Sequence, residues 1–197
     1  MDLSIDVGAR VLVLAKPAAS ASLLLRILAG LARPGAGTFR VAGLARADDS
    51  AQGWARRVGY VGPQAGIYPW MSPAEALDLA GKLAGLDLEE RRRRAAVVAE
   101  QFELPERLDA PVRRGGPALA QLTALACTML ADPEVVILDR PLLALEPEER
   151  ARLLALPGAR RTVLLTGIAP AVVSPFITQL FTIRMGRGVL AGTRTDG

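Results

Sequence analysis

Histidine is absent from the sequence. Its absence excludes a histidine-based catalytic triad, a His-ligated metal site and a histidine general base. Cysteine occurs once, as Cys127 inside an apolar stretch. No disulfide framework can form, and a packed core thiol in a reducing compartment is expected. Aromatic residues make up 4% of a chain that is 51% hydrophobic, so the core must be built from Leu, Ala and Val. No secretory leader is expected, because Asp2 and Asp6 interrupt the start. Neither sign of charge dominates: 24 basic and 20 acidic residues give +4. The densest basic run, Arg91-Arg92-Arg93-Arg94, follows Glu89-Glu90 and reads as a solvated helix face rather than a nucleic-acid or lipid patch. Long unbroken hydrophobic runs are also lacking. Residues 162–183 carry no charge, yet Gly167, Pro170, Pro175 and Gln179 break them up. Strand, loop, short helix and strand are expected there, not a membrane span.

What is present suits one α/β domain with a core of ordinary size. Residues 3–7 and 11–14 are short β-type runs split by Gly8-Ala9, which predicts a hairpin or tight turn. A helix is expected over 21–32, stopped by Pro34-Gly35, then an alternating strand over 38–43. A polar loop at 48–53 leads to a short helix at 54–57 and a buried strand at 58–61. Ser72, Pro73 and Glu75 form a capping box that opens a helix over about 74–84, and a second helix follows over about 88–102. An apolar helix over 118–130 precedes the strand Val135-Val136-Ile137-Leu138-Asp139. A helix over 146–156, a strand over 162–166 and a hairpin around Gly186 complete the pattern. Strands alternating with helices predict a mainly parallel sheet. Residues 72–130 are expected to form an inserted helical subdomain, with residues 1–71 and 131–197 as the α/β core.

Residues 15–22, Ala-Lys-Pro-Ala-Ala-Ser-Ala-Ser, lie between a hydrophobic strand and a leucine-rich helix, where a phosphate-binding loop belongs. Such a loop needs glycines so that backbone N–H groups turn inward, a lysine for the outer phosphates and a hydroxyl for Mg²⁺. Ala15 and Ser20 stand at the glycine positions and Ala21 at the lysine; only the hydroxyl of Ser22 is kept.

Three strings in order carry a resemblance that covers nearly the whole chain: Leu25-Arg-Ile-Leu-Ala-Gly-Leu-Ala-Arg-Pro34, Val58-Gly-Tyr-Val-Gly-Pro-Gln64 and Leu130-Ala-Asp-Pro-Glu-Val-Val-Ile-Leu-Asp-Arg-Pro141. The chain resembles the nucleotide-binding domain of ATP-binding cassette (ABC) transporters, a P-loop NTPase-like fold. The resemblance places the Q-loop glutamine at Gln64 and the Walker B aspartate at Asp139. It places the catalytic glutamate at Arg140, the switch histidine at Ile168 and the D-loop acid at Glu146. The signature motif falls on residues 113–117, where Gly115 and Gly116 keep a glycine pair without the serine. The family's first strand, with its adenine-stacking aromatic, is expected to be missing.

These departures imply a catalytically inactive subunit with no cofactor; ATP and Mg²⁺ enter only if the chain is an ATP-hydrolysing subunit in spite of them. A soluble regulatory protein on the same fold is a third alternative. Arg140 either pairs with Asp139, filling the pocket in place of a ligand, or points away. The implied partners are a membrane permease and an active ATPase subunit, with contact to the partner's nucleotide through Gly115 and Gly116 weak and no nucleic acid involved. The implied place is peripheral, at the cytoplasmic face of the cell membrane. Gln64, Tyr68, Trp70 and Met71 are the implied permease-docking residues, the alternative being that the aromatics pack inward under the helices. The apolar segment after Ile168 either needs a partner's cover or is buried within the chain.

Overall fold

The computed structural model describes residues 3–45, 51–140, 145, 160–185 and 187–193. Its central sheet contains β1 (Arg10–Lys16), β4 (Val58–Val61), β5 (Val135–Asp139), β6 (Thr162–Thr166), β7 (Gln179–Arg184) and β8 (Arg187–Thr193), in the order β4-β5-β6-β1-β7-β8. All neighbours pair in parallel except β7 and β8, which form an antiparallel hairpin. Every residue of β5 and β6 is buried. That is why these strands read as continuous apolar runs: helices cover both faces of a parallel sheet.

Alternation along β1 sends Val11 and Val13 to one hydrophobic cluster and Leu12 to the other. The first face is covered by α1 (Ala19–Leu28) and by Trp54 of α2 (Ala51–Arg57). The second is covered by α3 (Pro73–Leu83), α4 (Leu88–Gln101) and α5 (Gly116–Met129). One continuous cluster joins those helices to Val61, Leu138, Val163 and Leu165 of the sheet.

The capping box at α3 forms as expected: the Glu75 N–H donates to Ser72 Oγ at 3.2 Å and the Ser72 N–H to Glu75 Oε2 at 2.8 Å. Other local expectations need correction. Residues 3–7 are not a strand. Gly8 donates its N–H to Thr162 Oγ1 at 3.1 Å, and the chain turns directly into β1, both of whose edges are already taken by β6 and β7. The strand expected over 38–43 is a ribbon of β2 (Arg40–Val41) and β3 (Leu44–Ala45), because Ala42 and Gly43 both adopt positive φ and reverse the chain. Gly30 ends α1 before Pro34 is reached. Its φ is 75°, its N–H donates to the Ile27 carbonyl at 2.9 Å, and the Leu31 N–H donates to the Arg26 carbonyl at 2.9 Å.

The basic run on α4 is only partly a solvated face. Arg92 and Arg93 are exposed, whereas Arg91 binds Asp78 of α3 at 3.0 Å and Arg94 donates to the Leu130 carbonyl at 3.2 Å. Residues 162–183 form β6, a helical turn at Pro170–Val173 and most of β7. Among the described residues no helix is long and apolar enough to cross a membrane. Val173 is fully buried, and Ile168, Phe176 and Ile177 pack against the larger cluster, whereas Ala169, Pro170, Ala171, Val172 and Pro175 are exposed, so burial within the chain covers only part of this apolar segment. Glu146, the helix expected over 146–156, residues 48–50 and Gly186 lie outside the described residues.

Candidate functional site

The connection from β1 to α1 is tight. β1 pairs with β7 through Ala15 opposite Ile183 and Lys16 opposite Arg184, so the first position of the expected loop is strand. Pro17 follows through a cis peptide bond, and α1 begins at Ala19. The Ser20 N–H donates to the Pro17 carbonyl at 3.0 Å and the Ala21 N–H to the Ala18 carbonyl at 3.1 Å. Pro17 has no N–H to offer. Ala15 and Ser20 avoid the left-handed region; the positive-φ non-glycine residues described are Ala42, Glu103, Asp132, Arg140 and Met185. The loop has therefore reshaped itself to suit residues with a Cβ. Ala21 is 1% exposed and packs in one cluster with Val13 and Leu25.

The retained acid is fully engaged. Asp139, at the end of β5, is 2% exposed. Ser22 Oγ donates to its Oδ1 at 2.7 Å and the Tyr60 hydroxyl to its Oδ2 at 3.1 Å. Strand parity explains the meeting. Tyr60 sits opposite Ile137 in the parallel register, and Asp139 shares the Ile137 face, beside which α1 places Ser22. Sequence reasoning missed Tyr60, because nothing in the chain order says that β4 and β5 are neighbours.

Burial, then the Asp139 charge and its hydrogen bond, push the Tyr60 hydroxyl up from its ordinary 10.0 to about 12, with Arg26 opposing. Burial likewise raises Cys127 from 9.0 to about 12, as expected of an inert core thiol. Both groups are held protonated by the fold. Their contributions are complete below the unfolded values, near pH 10 for Tyr60 and pH 9 for Cys127, and are lost as pH rises toward 12. The melting temperature between those limits should therefore fall less steeply for Tyr60→Phe than for the wild type. An identical slope would mean that Tyr60 is not bonded to Asp139 in solution.

Arg140 does not complete the site. It is exposed, adopts φ 56° and anchors its N–H on the Thr166 carbonyl at 3.2 Å. Its Cγ lies 2.5 Å from where a Cβ on Gly167 would stand, which fixes glycine at that position. No ion pair joins it to Asp139 among the described residues, so of the two alternatives Arg140 takes the one that points away from Asp139. Ile168 packs against the core and offers no proton-transfer group. Gly115 caps α5 and Gly116, at φ 68°, opens it, followed by Pro117. A cleft of about 1230 Å³ opens elsewhere, between α1, the β2–β3 ribbon and the starting ends of β5 and β6. Neither Ser22 nor Asp139 lines it, and the ligand end of such a sheet is the opposite, carboxyl end.

Gln64 is exposed, and the loop beyond it presents rather than hides its rings. Tyr68 and Trp70 are 56% and 62% exposed and stack at 4.9 Å with 19° between their planes. Met71 is half-buried; its N–H donates to the Tyr68 carbonyl at 3.0 Å and its own carbonyl accepts from the Val112 N–H at 2.8 Å. Of the two placements considered for the aromatics, outward is the one adopted.

This geometry has relatives. A solved structure described as the ATP-binding subunit of an ABC transporter superposes with a TM-score of 0.85 at 24% identity, covering 98% of this chain and 81% of that one. The dimeric ATP-binding cassette MJ0796, bound to ADP and Pi, superposes at 0.81 and 20%, covering 95% and 87%. Both establish the fold. The daunorubicin resistance ATP-binding protein DrrA3 of Streptomyces coeruleorubidus is 29% identical over 202 residues, 100% of this chain and 63% of that protein. The cytochrome c biogenesis ATP-binding export protein CcmA of Cupriavidus necator is 34% identical over 153 residues, 77% of this chain and 66% of that protein. The chain spans 53–63% of the length of the first three curated relatives it matches. The family model described as ABC transporter matches residues 1–143. The chain belongs to the ABC transporter family.

Proposed function

We propose that this chain is the nucleotide-binding-type subunit of an ABC transporter, and that it works in transport without turning over ATP. One observation carries the reading: both oxygens of Asp139 are occupied by Ser22 and Tyr60, while buried Ala21 stands where the phosphate-binding cation belongs. Ser22 and Asp139 are oxygen donors that suit Mg²⁺, but residues 15–21 do not suit the triphosphate it would accompany. A lysine's charge-assisted phosphate contacts contribute roughly 1.5–3 kcal/mol each. Their loss, together with two cradle N–H groups turned to Pro17 and Ala18, carries a micromolar site toward about millimolar. Phosphoryl transfer also needs an acid or base to orient the attacking water and a donor to hold the γ-phosphate; Arg140 has no carboxylate for the first and Ile168 no donor for the second.

The remaining role is mechanical. Gln64, Tyr68, Trp70 and Met71 support docking on a membrane permease, because exposed aromatics and Met are what interface cores favour. An active ATPase subunit would supply the turnover as the other half of a pair, meeting Gly115 and Gly116. Such a complex sits peripherally at the cytoplasmic face of the cell membrane. A second reading, an ATP-binding and hydrolysing transport subunit, is favoured by the relatives, which are described as ATP-binding proteins. Titration of the purified chain with a fluorescent ATP analogue and Mg²⁺ separates the two. No saturation below about 1 mM is expected; saturable binding in the micromolar range would overturn the inactive reading in favour of the second.

A further inference from the structure

Arg113 and Arg114 stand on a 3-10 turn, Val112–Arg114, just before α5. Main-chain bonds stitch that turn to the aromatic loop: Val112 N–H to the Met71 carbonyl at 2.8 Å, and Arg113 N–H to the Pro69 carbonyl at 3.1 Å. Pro69 lies between Tyr68 and Trp70, so the Arg113 backbone is held at the foot of the stacked pair. Both arginines are exposed, and neither forms an ion pair with another described residue. Two exposed rings and two exposed arginines therefore lie on adjoining segments joined by main-chain bonds, and Tyr, Trp and Arg are the side-chain types most often found at binding hot spots.

From this patch we infer that Arg113 and Arg114 determine which membrane subunit docks, by taking a carboxylate carried on an apolar segment that covers Tyr68 and Trp70. The inference rests on the docking reading above and adds the chemistry of the partner. Charge sets that chemistry: guanidinium forks match a carboxylate bidentately, and the outer ring faces match apolar side chains. A nucleic acid fits less well. Each ring already occupies one face of the other, so no base can insert between them. Glu106 and Asp109, with Arg107 between them, are exposed on the preceding segment, which the Leu108 carbonyl ties to Ala74 at the start of α3 at 3.1 Å, so an extended polyanion would meet two carboxylates there against one cation.

The test uses the full chain co-expressed with a multi-span membrane protein encoded beside it and recovered in detergent. The double charge reversal Arg113→Glu with Arg114→Glu should lower recovery of that subunit about tenfold or more while leaving the melting temperature unchanged. Replacing one acidic residue of the subunit's cytoplasmic segment by Lys should restore recovery. If the reversal leaves recovery unchanged while Trp70→Ala removes it, the inference falls and the docking reading stands. If the wild-type chain recovers no membrane subunit, both fall. Sedimentation with phosphatidylglycerol vesicles or saturable binding of an oligothymidylate, either one abolished by the reversal, would also overturn it, assigning the patch to lipid or nucleic acid.

Discussion

Gly59→Ala is expected to destabilise the protein by about 2–3 kcal/mol, measured by denaturant or thermal unfolding. The added Cβ would lie 2.4 Å from Thr128 Cγ2 and 3.1 Å from Pro133 Cγ. Neither atom can retreat easily. Thr128 is β-branched and held by its hydroxyl, which donates to the Ala124 carbonyl at 2.8 Å, and Pro133 is a ring. β4 must then move away from α5. Thr128→Ser keeps the hydroxyl bond and removes the methyl, so adding it to Gly59→Ala should recover at least about 1 kcal/mol beyond additivity. Strictly additive effects would mean that this contact does not set the spacing of strand and helix. The site should respond as well. β4 carries Tyr60 to Asp139, so Gly59→Ala should draw the Tyr60 alkaline transition back from about 12 toward 10.0.

The legible parts of this fold were those where one residue-level cause dominates. Strands β4, β5 and β6 were legible from short, mostly apolar cores, because a strand covered on both faces tolerates little else at its centre. Ser72, Pro73 and Glu75 fixed the start of α3 by local chemistry alone. What stayed hidden depended on neighbours distant in sequence. Residues 3–7 are β-type in composition, yet no free strand edge is left for them beside β1. Arg91 and Arg94 look solvated until Asp78 and the Leu130 carbonyl come within reach. The site divides in the same way. Ser22 was found from the spacing of a phosphate-binding loop and Asp139 from the resemblance to the family, whereas Tyr60 needed the parallel register of β4 with β5. Ala15 and Ser20 do not hold a cradle under strain. They let the chain settle into ordinary φ, which a residue with a Cβ adopts without the left-handed cost.

On the inactive reading proposed above, rebuilding the phosphate-binding groups should create nucleotide affinity. Ala15→Gly, Ser20→Gly and Ala21→Lys, combined with Arg140→Glu, are expected to raise affinity for the fluorescent ATP analogue about a hundredfold or more. A lysine brings one or two phosphate contacts of about 1.5–3 kcal/mol each, and about 3 kcal/mol corresponds to a factor of about a hundred. The glycines allow the N–H groups of residues 20 and 21 to leave the Pro17 and Ala18 carbonyls and turn inward. Lysine cannot lie where the Ala21 methyl is buried, so its stem must run out over the loop. There its ammonium would compete with Ser22 and Tyr60 for Asp139. The Tyr60 alkaline transition should then move down in part, because burial, the largest cause of its rise, stays while a cation beside Asp139 offsets the Asp139 charge that adds to it. That second readout separates two failures. A transition that moves without any gain in binding would show that the lysine reached the site and that loop shape excludes the triphosphate. A transition that stays at about 12 would show that the lysine never arrived. With Ile168 left in place turnover should stay low, so binding, not hydrolysis, is the decisive measurement.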